Sequence, residues 1–366
     1  MSISNKRNIH NLNLPVLSAS QEKGMILRSE NGIDIKYDQN KINTYKIVNS
    51  GDYVVHLRSF QGGFAFSTID GICSPAYTIL KCNPEMIEYG FFEQYFTSKK
   101  FIDNLRIVTY GIRDGRSISV EEFLNLKGTF PNKNEQLKII KFYTLINKRI
   151  DTQSKIIEDL ELLEKEINNT IINKLVKYKD LVKFSSLYNF AKEGGTPNTS
   201  HPEYYTKGSI PFVKIDDLTT KYLVSNQSFI TKLGLENSSA WLIPANSILY
   251  SNGATIGAIS INKYPVTTKQ GILGIVPKSD YLSEYLYYFL RSNYFKKEIC
   301  KITTQGTMKS AYIKDIDNIL VPRINKKQQN EILTLLSEIT LKIQKEKDML
   351  ELYKKQKTYL LKNMFI

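Results

Sequence analysis

The feature that most constrains this chain is an internal repeat, each copy of which ends in a long heptad pattern. With Ile139 at position a, eight of the ten a and d positions are apolar. These positions are Ile139, Tyr143, Ile146, Ile150, Gln153, Ile157, Leu160, Glu164, Ile167 and Ile171. An apolar seven-residue repeat of this length is typical of a coiled coil. The pattern therefore predicts a first long helix over residues 133–174.

A shift of 193 residues reproduces this pattern, with its polar interruptions at the same two places. The shifted positions are Ile332, Leu336, Ile339, Ile343, Glu346, Leu350, Tyr353, Lys357, Leu360 and Met364. Two ordinary amphipathic surface helices are the alternative, and the matched interruptions disfavour it. The sequence predicts a second long helix over residues 326–364.

The repeat continues upstream of each helix with a shift of 194 to 196 residues. The aligned segments are residues 14–17 with 210–213, 51–55 with 245–249, and 91–96 with 285–290. Between the helices, short β-like runs are punctuated by Gly, Pro and Asn, which indicates small twisted sheets. The predicted fold class is α+β, with two similar domains, each followed by a long helix.

The repeat also sets the predicted domain boundaries. They are 1–131 for the first domain, 132–176 for the first helix, 177–322 for the second domain and 323–366 for the second helix. Residues 180–195, which lead into the second domain, have no clear counterpart before Asn13. The first domain is therefore predicted to lack its opening strand and to be shortened at its start.

The chain path predicts that the two long helices pair antiparallel. A helix of about 40 residues spans roughly 60 Å, and a compact second domain must join the end of one helix to the start of the other. One observation favours a parallel pair, because Glu164 and Lys357 would then face each other. An exposed ion pair contributes only about 0–1 kcal/mol, so connectivity decides. The result is a pseudo-twofold repeat with two domains held apart by a stiff spacer.

Charge favours a polyanionic partner, since 50 Lys and Arg against 36 Asp and Glu give a net charge of +14. A basic protein from a lysine- and asparagine-rich proteome is the alternative. The three cysteines are scattered without disulfide or metal spacing, which fits a reducing cytoplasm. Neither a signal peptide nor an apolar run of membrane-span length is expected.

No motif for catalysis or cofactor binding is recognised. Gly194-Gly195 lacks the spacing of a phosphate-binding loop. The string Asn83-Pro84-Glu85-Met86 is nearest to the Asn-Pro-Pro-aromatic motif of methyltransferases, but it fails at the second proline. The three histidines are isolated and without metal-ligand spacing. The chain is therefore predicted to have no catalytic, cofactor-binding or metal-binding residues.

Several motifs follow one another in the second domain in a specific order and spacing. They are Gly194-Gly195-Thr196-Pro197, His201-Pro202-Glu203-Tyr204-Tyr205, Gly208-Ser209-Ile210-Pro211-Phe212-Val213-Lys214-Ile215-Asp216-Asp217-Leu218, Gly253-Ala254-Thr255-Ile256-Gly257, Thr268-Lys269-Gln270-Gly271 and Gln305-Gly306-Thr307-Met308-Lys309. The first domain carries Asn13-Leu14-Pro15-Val16-Leu17-Ser18 and Cys73-Ser74-Pro75-Ala76-Tyr77. Together these motifs resemble the specificity subunits of type I restriction–modification systems.

The resemblance implies a non-catalytic subunit that reads a bipartite site in double-stranded DNA through two target-recognition domains. It also implies two methyltransferase (modification) subunits and restriction (motor-nuclease) subunits as partners. S-adenosylmethionine and ATP would then be bound by partner subunits only, and this chain would bind no cofactor. The alternative function is that of a coiled-coil scaffold with two protein-binding heads.

Candidate DNA contacts are loop residues of the types that reach base edges or phosphates. In the first domain they are Arg58, Gln61, Arg113 and Arg116. In the second domain they are Lys214, Asn252, Lys269, Gln270, Lys309 and Tyr312. For each, a solvated surface side chain or a turn-forming residue is the alternative. Base readers vary within the family, so the resemblance does not fix them.

Overall fold

The computed structural model describes residues 1–10, 12–20, 23–30, 39–55, 63–105, 109–110, 117–118, 120–253, 255–303 and 310–364. These residues form two compact units. The first unit contains Met1–Lys155 and Lys347–Ile366, and the second contains Ile156–Glu346. Each unit therefore combines a sheet-rich region with parts of both long helices.

The first unit is built from short strands followed by short helices. Its elements are β1 (Ser2–Ser4), β2 (Leu17–Ser20), β3 (Gly24–Leu27), β4 (Lys46–Val48), β5 (Tyr53–Val55), β6 (Phe64–Phe66), β7 (Gly71–Cys73), β8 (Thr78–Lys81), α1 (Phe91–Tyr95), α2 (Lys99–Leu105), β9 (Thr109–Tyr110), β10 (Ser117–Ile118), α3 (Val120–Leu124) and the start of α4 (Lys133–Tyr178). The largest sheet has the order β1-β8-β5-β6, and β4 pairs with β7.

Both faces of β5 in the first unit are buried. Tyr53 and Val55 lie in a core with the aromatic residues of α1 and α2, while Val54 packs with Leu17 and Met25 on the opposite side. Side chains alternate across a strand, so the run Tyr-Val-Val contributes to two separate cores.

The second unit repeats this plan with longer strands. Its elements are β11 (Leu181–Lys183), β12 (Tyr188–Glu193), β13 (Ile210–Val213), β14 (Tyr222–Leu223), β15 (Phe229–Ile230), α5 (Lys232–Glu236), β16 (Ile248–Ser251), β17 (Ile259–Asn262), β18 (Thr267–Thr268), β19 (Ile272–Pro277), α6 (Ser283–Arg291), α7 (Asn293–Ile302), α8 (Ile313–Ile316), β20 (Leu320–Pro322) and the start of α9 (Lys326–Asn363). The main sheet has the order β12-β19-β16-β17-β14, a second sheet has the order β15-β13-β18, and β11 pairs with β20.

The central strands of the second unit are buried on both faces. Ile248 and Tyr250 of β16 pack against α6 and α7, whereas Leu249 packs against Val213 of the second sheet and against Val266, which directly precedes β18. Strands buried on both faces are expected to be apolar throughout rather than alternating, which is the composition of β16 and β19.

The two long helices agree with the heptad prediction. The helices cover Lys133–Tyr178 and Lys326–Asn363, and every predicted a and d side chain except Met364 is at least partly buried. Each helix begins with a reciprocal cap. The Asn132 side chain accepts from the backbone N–H of Glu135, whose carboxylate accepts from the N–H of Asn132. Asn325 and Gln328 form the same pair of bonds.

Contacts within each unit show that the helices pair antiparallel, as predicted. In the first unit, Leu360 and Leu361 near the end of α9 pack in the same core as Ile139 near the start of α4. In the second unit, Ile172 near the end of α4 packs with Leu336 near the start of α9. The carboxylate of Glu164, which would face Lys357 in a parallel pair, accepts a hydrogen bond from Thr340 at 2.6 Å.

The structure corrects the register of the repeat by one residue. The sequence alone aligns residues 51–55 with residues 245–249 by a shift of 194. The backbone N–H of Gly51 donates to Ser67 O at 2.8 Å, and that of Asn246 donates to Asn262 O at 2.7 Å. Gly51 and Asn246 also share a positive φ, of 94° and 61°. The shift here is therefore 195, and Gly51 corresponds to Asn246.

The prediction that the first domain lacks its opening strand is wrong in one respect. β1 pairs with β8 antiparallel, with Ile3 opposite Leu80, as β12 pairs with β19, with Ala191 opposite Ile275. β1 therefore occupies the sheet position of β12. Only three residues form this strand, too few for the apolar pattern to be recognised from the sequence.

Candidate nucleic-acid interface

Several strand ends of the second unit meet at one end of its sheets. β13 and β18 run parallel, with Val213 opposite Thr268, and the backbone N–H of Lys269 donates to Val213 O at 2.9 Å. Lys214 and Lys269 follow these two strand ends directly, so the fold brings them side by side. We call the region formed by Lys214, residues 251–253, residues 269–271 and residues 311–312 the strand-end surface.

The turn that carries Lys269 and Gln270 is hydrogen-bonded to two side chains, one at the end of β12 and one shortly after it. The backbone N–H of Gly271 donates to Glu193 Oε1 at 2.7 Å, and that of Gln270 donates to Thr196 Oγ1 at 3.3 Å. Gly271 has a φ of +87°, a conformation that side chains other than glycine rarely adopt. The backbone of this turn is therefore fixed while both side chains are exposed.

The Gly-Gly-Thr-Pro motif supports this turn rather than binding phosphate. A Cβ at Gly194 would lie 2.1 Å from Thr268 Oγ1, and one at Gly195 would lie 2.4 Å from Ala240 N. Only glycine permits such close approach of two backbones. The motif that carries much of the family resemblance is thus a packing feature beneath the surface that presents Lys269 and Gln270.

Asn252 connects the loop after β16 to the segment before α8. Its Nδ2 donates to Ala311 O at 3.0 Å, and the backbone N–H of Ala311 donates to Asn252 O at 3.0 Å. The Asn252 residue is only 4% exposed. In this conformation Asn252 positions the loops of the strand-end surface, and its side chain does not face solvent.

The remaining candidates on this surface are accessible. Lys214, Lys269 and Gln270 are exposed, and Tyr312 is 52% exposed. The Nζ atom of Lys314 lies 5.7 Å from the centre of the Tyr312 ring. Cations suit phosphate contacts, and an amide suits the edge of adenine. The strand-end surface therefore combines the groups that duplex DNA requires.

Five candidates lie outside the described residues. They are Arg58, Gln61, Arg113, Arg116 and Lys309. Arg58 and Gln61 follow β5, which occupies the same sheet position as β16. Their contacts with DNA stay predictions.

The corresponding turn of the first unit has different chemistry. The pairing of Val48 with Gly71 matches that of Ile243 with Val266, a shift of 195 at both positions. Under this shift Ser74, Pro75 and Ala76 replace Lys269, Gln270 and Gly271. The side chains at these three positions of the first unit are uncharged, and beside them Lys46 Nζ donates to Tyr77 O at 2.6 Å.

A second group of titratable residues serves packing instead. Lys221 donates to Tyr288 Oη at 3.3 Å and lies 4.5 Å from the centre of that ring. Burial lowers the pKa of Lys221, and the nearby carboxylates of Glu284 and Glu164 oppose that shift. Glu164 interrupts the heptad pattern because it lies 3.9 Å from Arg291 in α6. The sequence signalled this contact only as a polar d position.

Within the described part of the chain, no group of three or more His, Cys, Asp or Glu side chains is arranged to hold a metal ion. Among the same residues, no helix combines the length and apolar character needed to cross a membrane.

A family model described as the type I restriction modification DNA specificity domain matches residues 173–352. This stretch includes the whole second domain and most of α9. Over residues 173–352 the chain is similar to that family. The family match confirms the resemblance found in the motifs, and it includes every described residue of the strand-end surface.

Relatives with assigned names agree with the family model. The chain is 32% identical over 209 residues to the type I restriction enzyme MjaIX specificity subunit of Methanocaldococcus jannaschii, covering 56% of this chain and 47% of the relative. It is 27% identical over 165 residues to the EcoR124I/EcoR124II specificity subunit of Escherichia coli, covering 44% and 40%. The matched part spans less than half the length of these relatives.

Solved structures show the same fold over the full chain. One, from work on complex assembly and conformational transition of the type I R-M system, has a TM-score of 0.65 at 16% identity and covers 99% of this chain and 94% of its own. The HsdS subunit from Thermoanaerobacter tengcongensis has a TM-score of 0.52 at 17% identity, covering 100% and 94%. These likenesses confirm the predicted fold of two domains and two long antiparallel helices.

Proposed function

We propose that this chain is the DNA sequence-specificity subunit of a type I restriction–modification complex and that it reads a bipartite target. The observation that carries the proposal is the strand-end surface, where a rigid scaffold of glycines and buried polar groups presents Lys214, Lys269 and Gln270 to solvent. The similarity of residues 173–352 to the specificity-domain family supports the same conclusion.

The two recognition domains are assigned to residues 1–131 and 177–322, and the two spacer helices to residues 132–176 and 323–366. Because the turns at equivalent positions differ between the domains, each domain reads its own half-site. The exposed faces of the spacer helices provide docking surfaces for two methyltransferase subunits, and the restriction subunits join the assembled complex.

Catalysis belongs to the partners in this proposal. This chain supplies recognition alone, and S-adenosylmethionine and ATP are bound by the methyltransferase and motor-nuclease subunits. The complex acts in the cytoplasm, where genomic DNA is available. Purified chain free of other subunits is expected to transfer no methyl group and to hydrolyse no ATP.

The decisive experiment maps methylated sites in a host genome by long-read sequencing, with the chain present and deleted. A bipartite motif that disappears on deletion is expected. A complementary titration measures affinity of the purified chain for duplex DNA at several salt concentrations. Phosphate contacts release counterions, so the logarithm of the binding constant should fall linearly with the logarithm of salt concentration.

A coiled-coil scaffold with two protein-binding heads is the competing function. It predicts an unchanged methylation pattern on deletion and no salt-dependent DNA affinity. Either result, obtained with folded chain and intact partner genes, would reject the DNA-reading proposal.

A further inference from the structure

The first unit contains an apolar cavity whose counterpart in the second unit is filled. The cavity has a volume of about 200 Å³ and is open to solvent. Six of its fifteen lining residues are aromatic side chains that lie in or directly after α1, in α2 and α3, and in the segment after α3. These are Phe92, Tyr95, Phe96, Phe101, Phe123 and Phe130.

In the second unit, Phe184 and Leu187 fill the equivalent space. Both residues are 1% exposed, and the Phe184 ring centre lies 5.7 Å from that of Phe295 in α7. A shift of 194 residues places Phe295 at the position of Phe101, a wall residue of the cavity. The aromatic wall of the second unit is therefore covered by a side chain that has no counterpart among the described residues of the first.

Main-chain hydrogen bonds hold the covering segment Leu181–Leu187 in place. β11 pairs with β20, with Val182 opposite Val321. Beyond the strand, the backbone N–H of Phe184 donates to Ile319 O at 2.9 Å. The segment is thus an added edge strand followed by a turn with two apolar anchors, a recurring mode of peptide recognition.

One polar contact gives the segment further specificity. Lys183 Nζ donates to Asn318 Oδ1 at 2.9 Å. A shift of 193 residues places Asn318 at the position of Asn125 in the first unit, and the Asn125 side chain is exposed.

The first unit retains the receiving groups for such a segment. Residues 127–129 occupy the positions of β20, and Leu126 corresponds to Ile319. Within the described part of the chain, residues 126–130 belong to no strand, and no backbone N–H donates to Leu126 O. The sheet register makes Ser2 the counterpart of Phe190, and Met1 lines the cavity.

We propose that this cavity is a docking site for a strand–turn segment of another polypeptide. The segment has the chemistry of Leu181–Leu187: an extended apolar strand, a lysine at its end, then phenylalanine and leucine three residues apart. Its strand pairs with residues 127–129, its aromatic ring packs on Phe101, and its lysine reaches Asn125. This interaction is independent of the proposed DNA-reading function.

The test uses the full chain and a labelled synthetic peptide with the sequence of residues 179–189. Fluorescence anisotropy is expected to show saturable binding with one peptide per chain. Replacing the phenylalanine of the peptide with alanine should weaken binding about tenfold or more, because an anchor of this size contributes about 1.5–3 kcal/mol when buried. Peptide binding that is indifferent to this change would overturn the proposal.

Two variants of the chain complete the test. Leu126→Glu places a carboxylate on the cavity wall and should abolish peptide binding, while Leu145→Glu, at an exposed position of α4, should leave it unchanged. If Leu126→Glu fails to fold, a second variant decides. Fusing residues 180–188 directly before Met1 should fill the cavity from within, raise the melting temperature and eliminate binding of the free peptide.

Two further outcomes would reject the docking proposal. Absence of peptide binding to the unmodified chain, together with an unchanged melting temperature of the fusion, would show that the cavity receives no such segment. Binding of a small apolar dye without binding of the peptide would assign the cavity to a small molecule and would also reject the proposal.

Discussion

The two recognition domains share a framework, and a buried glutamine shows how closely it is repeated. In the first unit, Gln136 Nε2 donates to Met86 O at 3.0 Å and to Pro131 O at 2.8 Å. Its Oε1 accepts from the backbone N–H of Glu88 at 2.8 Å. These bonds attach the start of α4 to the loop before α1, so the glutamine joins the spacer helix to its domain.

The second unit makes the same three contacts 193 or 194 residues later. Gln329 Nε2 donates to Asp280 O at 2.8 Å and to Ile324 O at 3.5 Å, and its Oε1 accepts from the N–H of Leu282 at 2.8 Å. Gln136 and Gln329 are 1% and 0% exposed. Most buried polar groups in proteins are hydrogen-bonded, and both of these amides have partners at their oxygen and nitrogen atoms.

The domains differ at their outer elements. The second is closed by β11 and Phe184 and presents Lys269 and Gln270, whereas the first has an open cavity and presents Ser74, Pro75 and Ala76. Core positions must fit their neighbours, but loops supported by a rigid scaffold can vary. In the proposed function, the shared framework supports both domains and the loops give each domain its own specificity.

The largest expected effect tests whether Phe184 closes the second domain. Phe184→Ala should lower the free energy of unfolding by about 3–5 kcal/mol, because it removes a fully buried ring. Urea unfolding measured by circular dichroism is the assay. Phe190→Ala, at a side chain that is 49% exposed, is the control and should change little. A small effect at Phe184 would contradict the proposed difference between the domains.

The buried glutamines test the equivalence of the two frameworks. Gln136→Ala and Gln329→Ala should each lower the free energy of unfolding by about 2–3 kcal/mol, since each leaves buried backbone groups without partners. Lys138→Ala and Glu331→Ala, at matched exposed positions 193 residues apart, should be nearly neutral. Strongly unequal losses of unfolding free energy in the two glutamine variants would contradict the equivalence of the two frameworks.

The candidate DNA-contacting side chains test whether the domains act separately. The double variant Lys269→Ala, Gln270→Ala should relax or weaken recognition of only one half-site, by about 1–3 kcal/mol for each base that the variant no longer binds. Arg113→Ala with Arg116→Ala should affect only the other half. Methylation-site mapping of the assembled complex measures the result. Lys263→Ala is the control, because Lys263 is an exposed cation that follows β17 at the end opposite the strand-end surface. Equal effects on both half-sites would indicate that the replaced side chains contact phosphates or support folding.

The smallest energetic effect is expected from a crosslink that tests helix pairing. Cysteines introduced at Ile171 and Ile332 should form a disulfide readily, because the end of α4 packs beside the start of α9. Non-reducing electrophoresis after mild oxidation measures the product. Efficient linking of Ile139 to Ile332 in its place would indicate a parallel pair.

The sequence by itself determined the long helices and the order of the domains. An apolar heptad repeat specifies both a helix and its buried stripe, because the contacts that bury each a and d side chain recur with the same period. The start of each helix was also determined by nearby residues, because Asn132 and Asn325 cap the first turns of the helices that they precede. The repeat then required two similar domains.

Strand register and the exposure of site residues depended on tertiary structure. A strand has a period of two, so a slip of one residue moves every side chain to the other face. The pairing of β5 with β6 and of β16 with β17 identified Ile248 as the counterpart of Tyr53. Asn252 had the composition of a DNA contact, yet Ala311, 59 residues away, binds its amide inside the protein. Such long-range partners leave no local signal. The sequence showed that residues 180–195 lack a clear counterpart, but only the folded chain showed a filled site at Phe184 and an open cavity at Phe101.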